Sequence, residues 1–182
     1  MTNMINKHSS IRKNSYKTAI TRKKFSAPMK WLMYEDLLDP GFHLDLLDYG
    51  CGKGWDAMML GMSKYDPHFF PTKPDGEYGI ITCNYVINTM ASSFDRMNLI
   101  LDIQNLLTDD GIAYITIRAD KRNLNGITKT GSWQGFTPLN LPVVHKTSGY
   151  IIYELRKLDG LGNIFIDPCH SALVVDVFSG GL

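Results

Sequence analysis

What the sequence lacks narrows the field first. Its three cysteines, Cys51, Cys83 and Cys169, are scattered with no CxxC pair, which argues against a disulfide framework and a structural zinc site, and no metal is expected. No apolar run approaches the roughly 18–20 residues of a spanning helix, and the first residues carry no apolar signal core. The expectation is a protein of the cytoplasm that makes no use of a membrane. Acidic residues are missing from positions 1–34, which hold Lys7, Arg12, Lys13, Lys17, Arg22, Lys23, Lys24 and Lys30. That stretch is therefore +8, while the remainder sets 11 basic against 18 acidic residues. A basic arm on an acidic body suits a segment that meets phosphates or the body's own acidic face, and a solvated terminus is the plainer alternative.

The rest of the chain is ordinary globular material. With 182 residues, 44% of them hydrophobic, it suits one domain that buries most of its apolar surface. Residues 1–25 read as the basic arm and residues 26–182 as a single domain. Ser26 is placed to cap a helix with Pro28 in its first turn, where a missing amide hydrogen costs nothing. Trp31, Leu32, Tyr34 and Leu38 give that helix an apolar side, and Asp39-Pro40-Gly41 ends it. Leu44 to Tyr49 reads as a buried strand, Trp55 to Leu60 as a short helix ended by Gly61, and Ser63 to Tyr65 as a very short strand. A loop with Pro71, Pro74 and Gly76 leads to a β-branched strand over Tyr78–Val86. Phe94 to Leu107 has helical spacing, and Asp109-Asp110-Gly111 turns it into a strand over Ile112–Ile117. Tyr150–Leu155 and Leu173–Phe178 read as two late strands. There is no internal repeat. Strands alternating with helices predict a three-layer α/β domain.

The stretch that carries chemistry is Asp48-Tyr49-Gly50-Cys51-Gly52-Lys53-Gly54, between a strand and a helix. Glycines there let the backbone turn sharply and approach a ligand, with amides facing it. A Walker loop is excluded, because no Gly-Lys-Ser/Thr follows at the right spacing, and the dinucleotide fingerprint fails because its third glycine comes one residue early. With its acid two residues before GxGxG, the sequence resembles the class I S-adenosylmethionine-dependent methyltransferases. The resemblance extends along the chain. Asp66 is similar to the acid that ends the family's second strand and holds ribose hydroxyls. Ile80 to Asn88 is similar to the fourth-strand segment that lines cofactor and substrate, and Asp109 to Ile115 to the turn and fifth strand. More narrowly, Lys17-Thr18-Ala19, Arg22 and Ser26-Ala27-Pro28, with Tyr49-Gly50-Cys51-Gly52 and Tyr65-Asp66-Pro67, resemble small prokaryotic and phage-borne methyltransferases. That group includes putative methyltransferases associated with DNA phosphorothioation.

The resemblance implies a Rossmann-like methyltransferase sheet, S-adenosylmethionine as cofactor, and a pocket formed by Asp48, Gly50, Cys51, Gly52, Gly54, Asp66, Asn84 and Tyr85. Two spacings depart from the family. Gly54 to Asp66 is 12 residues, so the first helix and second strand are clipped. Asp66 to Ile80 is 14 residues, where the family fits a helix, a strand and another helix. One helix needs about 10 residues and a strand with its connections about 10 more. The third strand is therefore expected to be missing or vestigial, giving a reduced sheet of order 2-1-4-5-7-6 in the family's numbering, with one antiparallel strand. The acid that usually touches adenine has no counterpart, which leaves adenine to be covered by the arm, the Phe69–Pro74 loop or a second subunit.

Methyl transfer from a sulfonium is an in-line displacement, for which alignment can supply roughly 7–11 kcal/mol. A base is needed only when the nucleophile begins protonated. No catalytic triad is expected and no catalytic residue is singled out. His8, His68 and His145 are each candidate bases or plain structural histidines. Cys83 has no preceding proline and sits in an apolar strand, so it reads as a core thiol, not a nucleophile. Asn84-Tyr85-Val86-Ile87 lacks the prolines of the DNA amino-methyltransferase signature, which disfavours that chemistry. Asp66 also reads as a cap before Pro67, and Asp56 either as a ligand of the methionine end or as a helix-dipole acid. Beyond the fifth strand, Arg118, Asp120 and Trp133 mark the substrate side, with cations and an aromatic that suit a stacked base. Trp133 pinned in the core is the alternative. Nucleic acid is the favoured acceptor, through the arm; a small molecule or protein, an accessory subunit that only binds the cofactor, and an enzyme that cleaves it are the rivals.

Overall fold

Alternating side chains along short strands set the layers of the fold. In β1 (Leu46–Tyr49), β3 (Tyr78–Asn84), β4 (Leu107–Arg118) and β8 (Tyr150–Arg156), neighbouring residues fall on opposite faces of one sheet. Leu47, Ile81, Ala113, Ile115 and Tyr153 build the larger core on one face, while Ile80, Tyr114 and Ile152 join a second core on the other. Both faces of the central strands are buried, as expected of a parallel sheet covered on each side. The structure, a computed structural model, describes residues 15–39, 45–120 and 123–157.

The remaining elements follow from local chemistry. Helix α1 (Ala27–Tyr34) begins where the Ser26 hydroxyl accepts the Met29 amide at 3.4 Å, with Pro28 in its first turn, and buries Met29 and Leu32. Tyr34, read as part of its apolar side, is exposed. Helix α2 (Trp55–Leu60) stops at Gly61, whose φ of 68° no other residue adopts cheaply. Helix α3 (Ser93–Asn105) is capped by Ser92 and buries Leu99, Ile100 and Ile103 in the larger core. Thus α1 and α2 cover one face and α3 the other.

The sheet has six strands in the order β2-β1-β3-β4-β8-β7, with β2 (Ser63–Tyr65) and β7 (Val143–Lys146) at the edges. Strands β2, β1, β3 and β4 are parallel, with Leu47 opposite Ser63, Asp48 opposite Thr82 and Asn84 opposite Thr116. Strand β8 runs antiparallel to both of its neighbours. This is the expected reduced sheet, and among the described residues no strand lies outside β2. Two expectations change. Asp109–Gly111 is not a turn before the strand but an irregularity inside β4, where the partner of Tyr78 is Leu107 and that of Ile80 is Ile112. The two late places in the sheet are filled by β8 and by Val143–Lys146, which the pattern did not mark; Leu173–Phe178 lies outside the described residues. A separate hairpin of β5 (Asn125–Ile127) and β6 (Trp133–Gly135) also escaped the sequence reading.

Candidate active site

The parallel strands all end on one side, and an open cleft of about 1600 Å³ runs along those ends. Such sheets bind ligands at this edge, and single small-ligand sites span about 300–1,000 Å³. The cleft has room for a cofactor and an acceptor together. Its walls come from the glycine loop after β1, the turn after β2, residues 84–86 after β3, Arg118 and Asp120 after β4, and Tyr150 at the start of β8.

At the glycine-loop end, backbone geometry dominates. Gly50, Gly52 and Gly54 have φ values of 76°, 56° and 72°. An added Cβ at Gly50 would collide with the Val86 side chain, so that position needs both the left-handed backbone and the missing side chain. The loop amides do not form an anion nest. Gly50 and Cys51 donate to the Tyr65 carbonyl at 2.7 and 3.0 Å, Gly54 donates to the Cys51 carbonyl, and Gly52 donates to Asp66 Oδ2 at 3.1 Å. The expected display of free amides is thus replaced by a loop tied to the end of β2. Asp66 also accepts the His68 and Phe69 amides at 2.9 and 3.0 Å, so it caps its turn while lining the cleft.

Asp48 is buried where β1 ends, and its neighbour in register, Thr82, donates to its Oδ1 at 2.9 Å. Burial lifts its carboxyl to about 7, helped by Asp56 and Asp66 and opposed by the Thr82 hydroxyl and by Arg22. The same device recurs one strand over. Thr116 donates to Asn84 Oδ1 at 2.7 Å, and the buried Asn84 Nδ2 has no partner among the described residues. The indole Nε1 of Trp55, another cleft residue, is likewise buried and unpartnered. Two unsatisfied donors in one cleft are what a ligand with acceptor atoms would answer.

The described part of the basic arm is a wall of this cleft. Tyr16, Ala19 and Arg22 line it, and Tyr16 stacks on His68 with ring centroids 4.1 Å apart. Lys53 donates to the Thr21 hydroxyl at 2.6 Å, and the Ser26 amide meets both oxygens of Asp56 at 3.2 and 3.3 Å. Asp56 thereby holds the arm against α2. Cover over adenine was expected from the arm, the Phe69–Pro74 loop or a second subunit; of these, Tyr16, Ala19 and Arg22 line the cleft and Phe70 packs behind Gly54.

The other end of the cleft is built from side chains. Tyr85 has a φ of 62°, unusual for an aromatic residue. Its hydroxyl is pushed up to about 12 by burial and by Tyr150, while Arg22 and Arg118 pull it down. Arg118 forks onto Asp120 at 2.9 and 2.6 Å, and its amide donates to the buried Asn88 at 2.8 Å. Asn88 in turn donates to the Gly135 carbonyl, tying the β5–β6 hairpin to the end of β4.

Of the residues expected from sequence, Asp48, Gly50, Cys51, Gly52, Gly54, Asp66, Asn84, Tyr85, Arg118 and Asp120 all line the one cleft. Trp133 does not. Its ring lies across Gly135, where an added Cβ would collide with it, and the adjacent Gln134 lines the cleft instead. Cys51 is half-buried with its thiol pushed up to about 12, and the buried Cys83 thiol is also raised, so neither offers a thiolate. His145 stacks on Trp31 away from the cleft, and His8 lies outside the described residues. Arg22 and Asn88 entered the sequence reading only within longer motifs, and Gln134 only as a neighbour of Trp133; none was given a role of its own.

No protein-family model matches the chain, and no curated protein matches its sequence. Solved structures do. The structure titled DhpI–SAH complex is 11% identical, with a TM-score of 0.54 over 81% of this chain and 95% of that one. The 1,6-didemethyltoxoflavin-N1-methyltransferase of Burkholderia thailandensis, solved with 1,6-didemethyltoxoflavin and S-adenosylhomocysteine, is 14% identical, with a TM-score of 0.52 over 87% of each chain. The PH0226 protein of Pyrococcus horikoshii OT3 is 6% identical, with a TM-score of 0.50 over 74% of this chain and 91% of that one. The chain has the Rossmann-like fold seen in methyltransferases. No helix among the described residues is long and apolar enough to cross a membrane.

Proposed function

We propose that the chain is an S-adenosylmethionine-dependent methyltransferase and that nucleic acid is its acceptor. The observation that carries the first part is the cofactor end of the cleft: three left-handed glycines between β1 and α2, with buried Asp48 before them. The fit is chemical as well as geometric. A loop whose amides are already bonded suits a ligand without phosphates, and the unpartnered donors of Asn84 and Trp55 suit one rich in acceptor atoms. Two of the similar structures contain S-adenosylhomocysteine. When bound, S-adenosylmethionine supplies a methyl group on a positively charged sulfur. Asp48, the loop, Asp66 and Asn84 hold that cofactor, and Tyr85, Gln134 and the Arg118–Asp120 pair orient the acceptor. With the Cys51 thiol held protonated and Cys83 buried in the core, the acceptor brings its own lone pair.

Support for nucleic acid comes from charge. Lys23, Lys24 and Lys30 surround a shallow hollow of about 310 Å³ with Phe25, Met59 and Trp55, and Trp55 also lines the main cleft. Cations beside aromatic and apolar side chains suit a strand of stacked bases. The narrower likeness to the small prokaryotic and phage-borne group rests on this arm and Tyr65-Asp66-Pro67, and belongs to the same proposal. Methyl-labelled S-adenosylmethionine with purified protein and cell lysate tests it. Label released by nuclease is expected; label released only by protease, or retained on a small molecule, reassigns the acceptor. Tight cofactor binding with no labelled product makes the chain an accessory subunit, and cofactor loss with no labelled product makes it a cleaving enzyme.

A further inference from the structure

Charge compensation is uneven over the molecule. Lys73, Arg118, Arg156 and Lys157 each meet a carboxylate. Lys23, Lys24 and Lys30 are exposed and meet none among the described residues, yet all three edge one hollow with Phe25, Trp55 and Met59. Asp56, next to Trp55 in the chain, does not neutralise them, being buried with both oxygens on the Ser26 amide. Three like charges around one hollow raise the local concentration of anions. The apolar walls narrow the choice of anion. Phe25 is half-buried and anchored in the core under α1 and α2, while Met59 is 52% exposed. The hollow's volume of about 310 Å³ lies at the lower limit of small-ligand sites, about 300–1,000 Å³, so it suits one flat ring and not a double helix. A phosphodiester for the lysines and a base face for the apolar walls are the two parts of a nucleotide, and base faces are open in a single strand but stacked away in a duplex.

Resting on the nucleic-acid reading above, we propose that this hollow holds the nucleotide next to the one in the cleft, so that the acceptor is a single strand of two nucleotides or more. Trp55 fixes the adjacency, because the same side chain borders both the hollow and the cleft. Lys23, Lys24 and Lys30 take the phosphates, and Phe25 and Met59 take the base.

Fluorescence anisotropy of the full chain with a labelled strand of ten thymidines tests the assignment. The strand is expected to bind about tenfold or more tighter than a ten-base-pair duplex or thymidine 5′-monophosphate, the difference that one stacked base makes. Lys23→Gln, Lys24→Gln and Lys30→Gln together should flatten its salt dependence by about 2 logarithmic units per decade. Met59→Glu, which sets a carboxylate in the hollow, should weaken the strand about tenfold. All four positions are exposed, so both variants should fold as the parent does and keep its affinity for S-adenosylhomocysteine. Strand binding with an unchanged salt slope in the triple variant overturns the hollow and leaves the nucleic-acid reading standing. Equal affinity for the duplex overturns the single strand, and equal affinity for the monophosphate makes the hollow a free-nucleotide site instead. A triple variant that loses binding to phosphatidylserine vesicles but not to the strand overturns the assignment in favour of a lipid surface. Binding of neither strand nor duplex by the intact chain overturns the nucleic-acid reading itself, and the hollow with it.

Discussion

The two ends of the cleft are made in different ways. The glycine-loop end is a backbone construction: left-handed glycines, amides bonded to the Tyr65 carbonyl and Asp66, and an acid set by its register with Thr82. The opposite end is a side-chain construction of Tyr85, Arg118, Asp120 and Gln134, steadied through Asn88 by a hairpin of two three-residue strands. Backbone constructions tolerate few residue types, whereas side-chain constructions change acceptor while keeping their frame.

The comparison breaks hardest at Gly50. Gly50→Val forces a branched side chain into a left-handed backbone and into Val86, and should cost about 3 kcal/mol in urea melts, with cofactor binding lost. Asp48→Asn probes the same end more gently. A carboxyl lifted by burial from 3.8 to about 7 stays protonated in the folded chain over an interval where the unfolded chain has released its proton. Its contribution to stability is therefore full below about pH 4 and falls as pH rises to about 7, by at most about 1.4 kcal/mol per pH unit. The asparagine variant should lose that slope, melt higher than the parent at pH 8, and bind S-adenosylhomocysteine more weakly. A slope unchanged by the substitution would remove Asp48 from this account.

At the other end, Tyr85→Phe should lower methyl transfer about tenfold, the worth of one hydrogen bond to a ligand, with S-adenosylhomocysteine affinity within twofold. Equal losses in both would merge the two ends into one. Deletions sharpen the boundary between them. Removing residues 1–14 takes away Lys7, Arg12 and Lys13 and should flatten the salt dependence of single-strand binding by about 2 logarithmic units per decade, sparing the cofactor. Removing residues 1–24 should weaken cofactor binding too, because Tyr16, Ala19 and Arg22 go with it. The smallest effect belongs to Asp120→Asn. Its bond to Arg118 is half-exposed, so stability should change by less than about 0.5 kcal/mol.

The same division decided what the sequence disclosed. Ser63–Tyr65, the capped helices and the absence of a strand between Asp66 and Tyr78 were legible, because glycines, prolines and chain length leave few choices there. Val143–Lys146 was not, being four residues after a proline with no alternation to mark it, and neither were β5 and β6. The inward Arg22 was hidden among lysines, since a sequence gives a side chain's charge but not its direction. Trp133 misled for a related reason: its partner is Gly135, two residues on along the same strand face, and only the folded hairpin brings the ring over that glycine.

A sheet shortened by a strand leaves its second strand as a border, and an unpaired border invites other chains to add to it. Here β2 offers little to add to. It is three residues long, carries the exposed Lys64 at its centre, and runs straight into Asp66-Pro67, where the chain doubles back so that Asp66 and Phe70 bond each other. The Lys64 ammonium sits over the Phe70 ring, 4.9 Å from its centroid, keeping a charge on the rim. Brevity, a lysine and a proline are the usual protections of a sheet margin. At this margin the fold has shed a strand without leaving a long flat edge, and Lys64→Val is the change that would expose it.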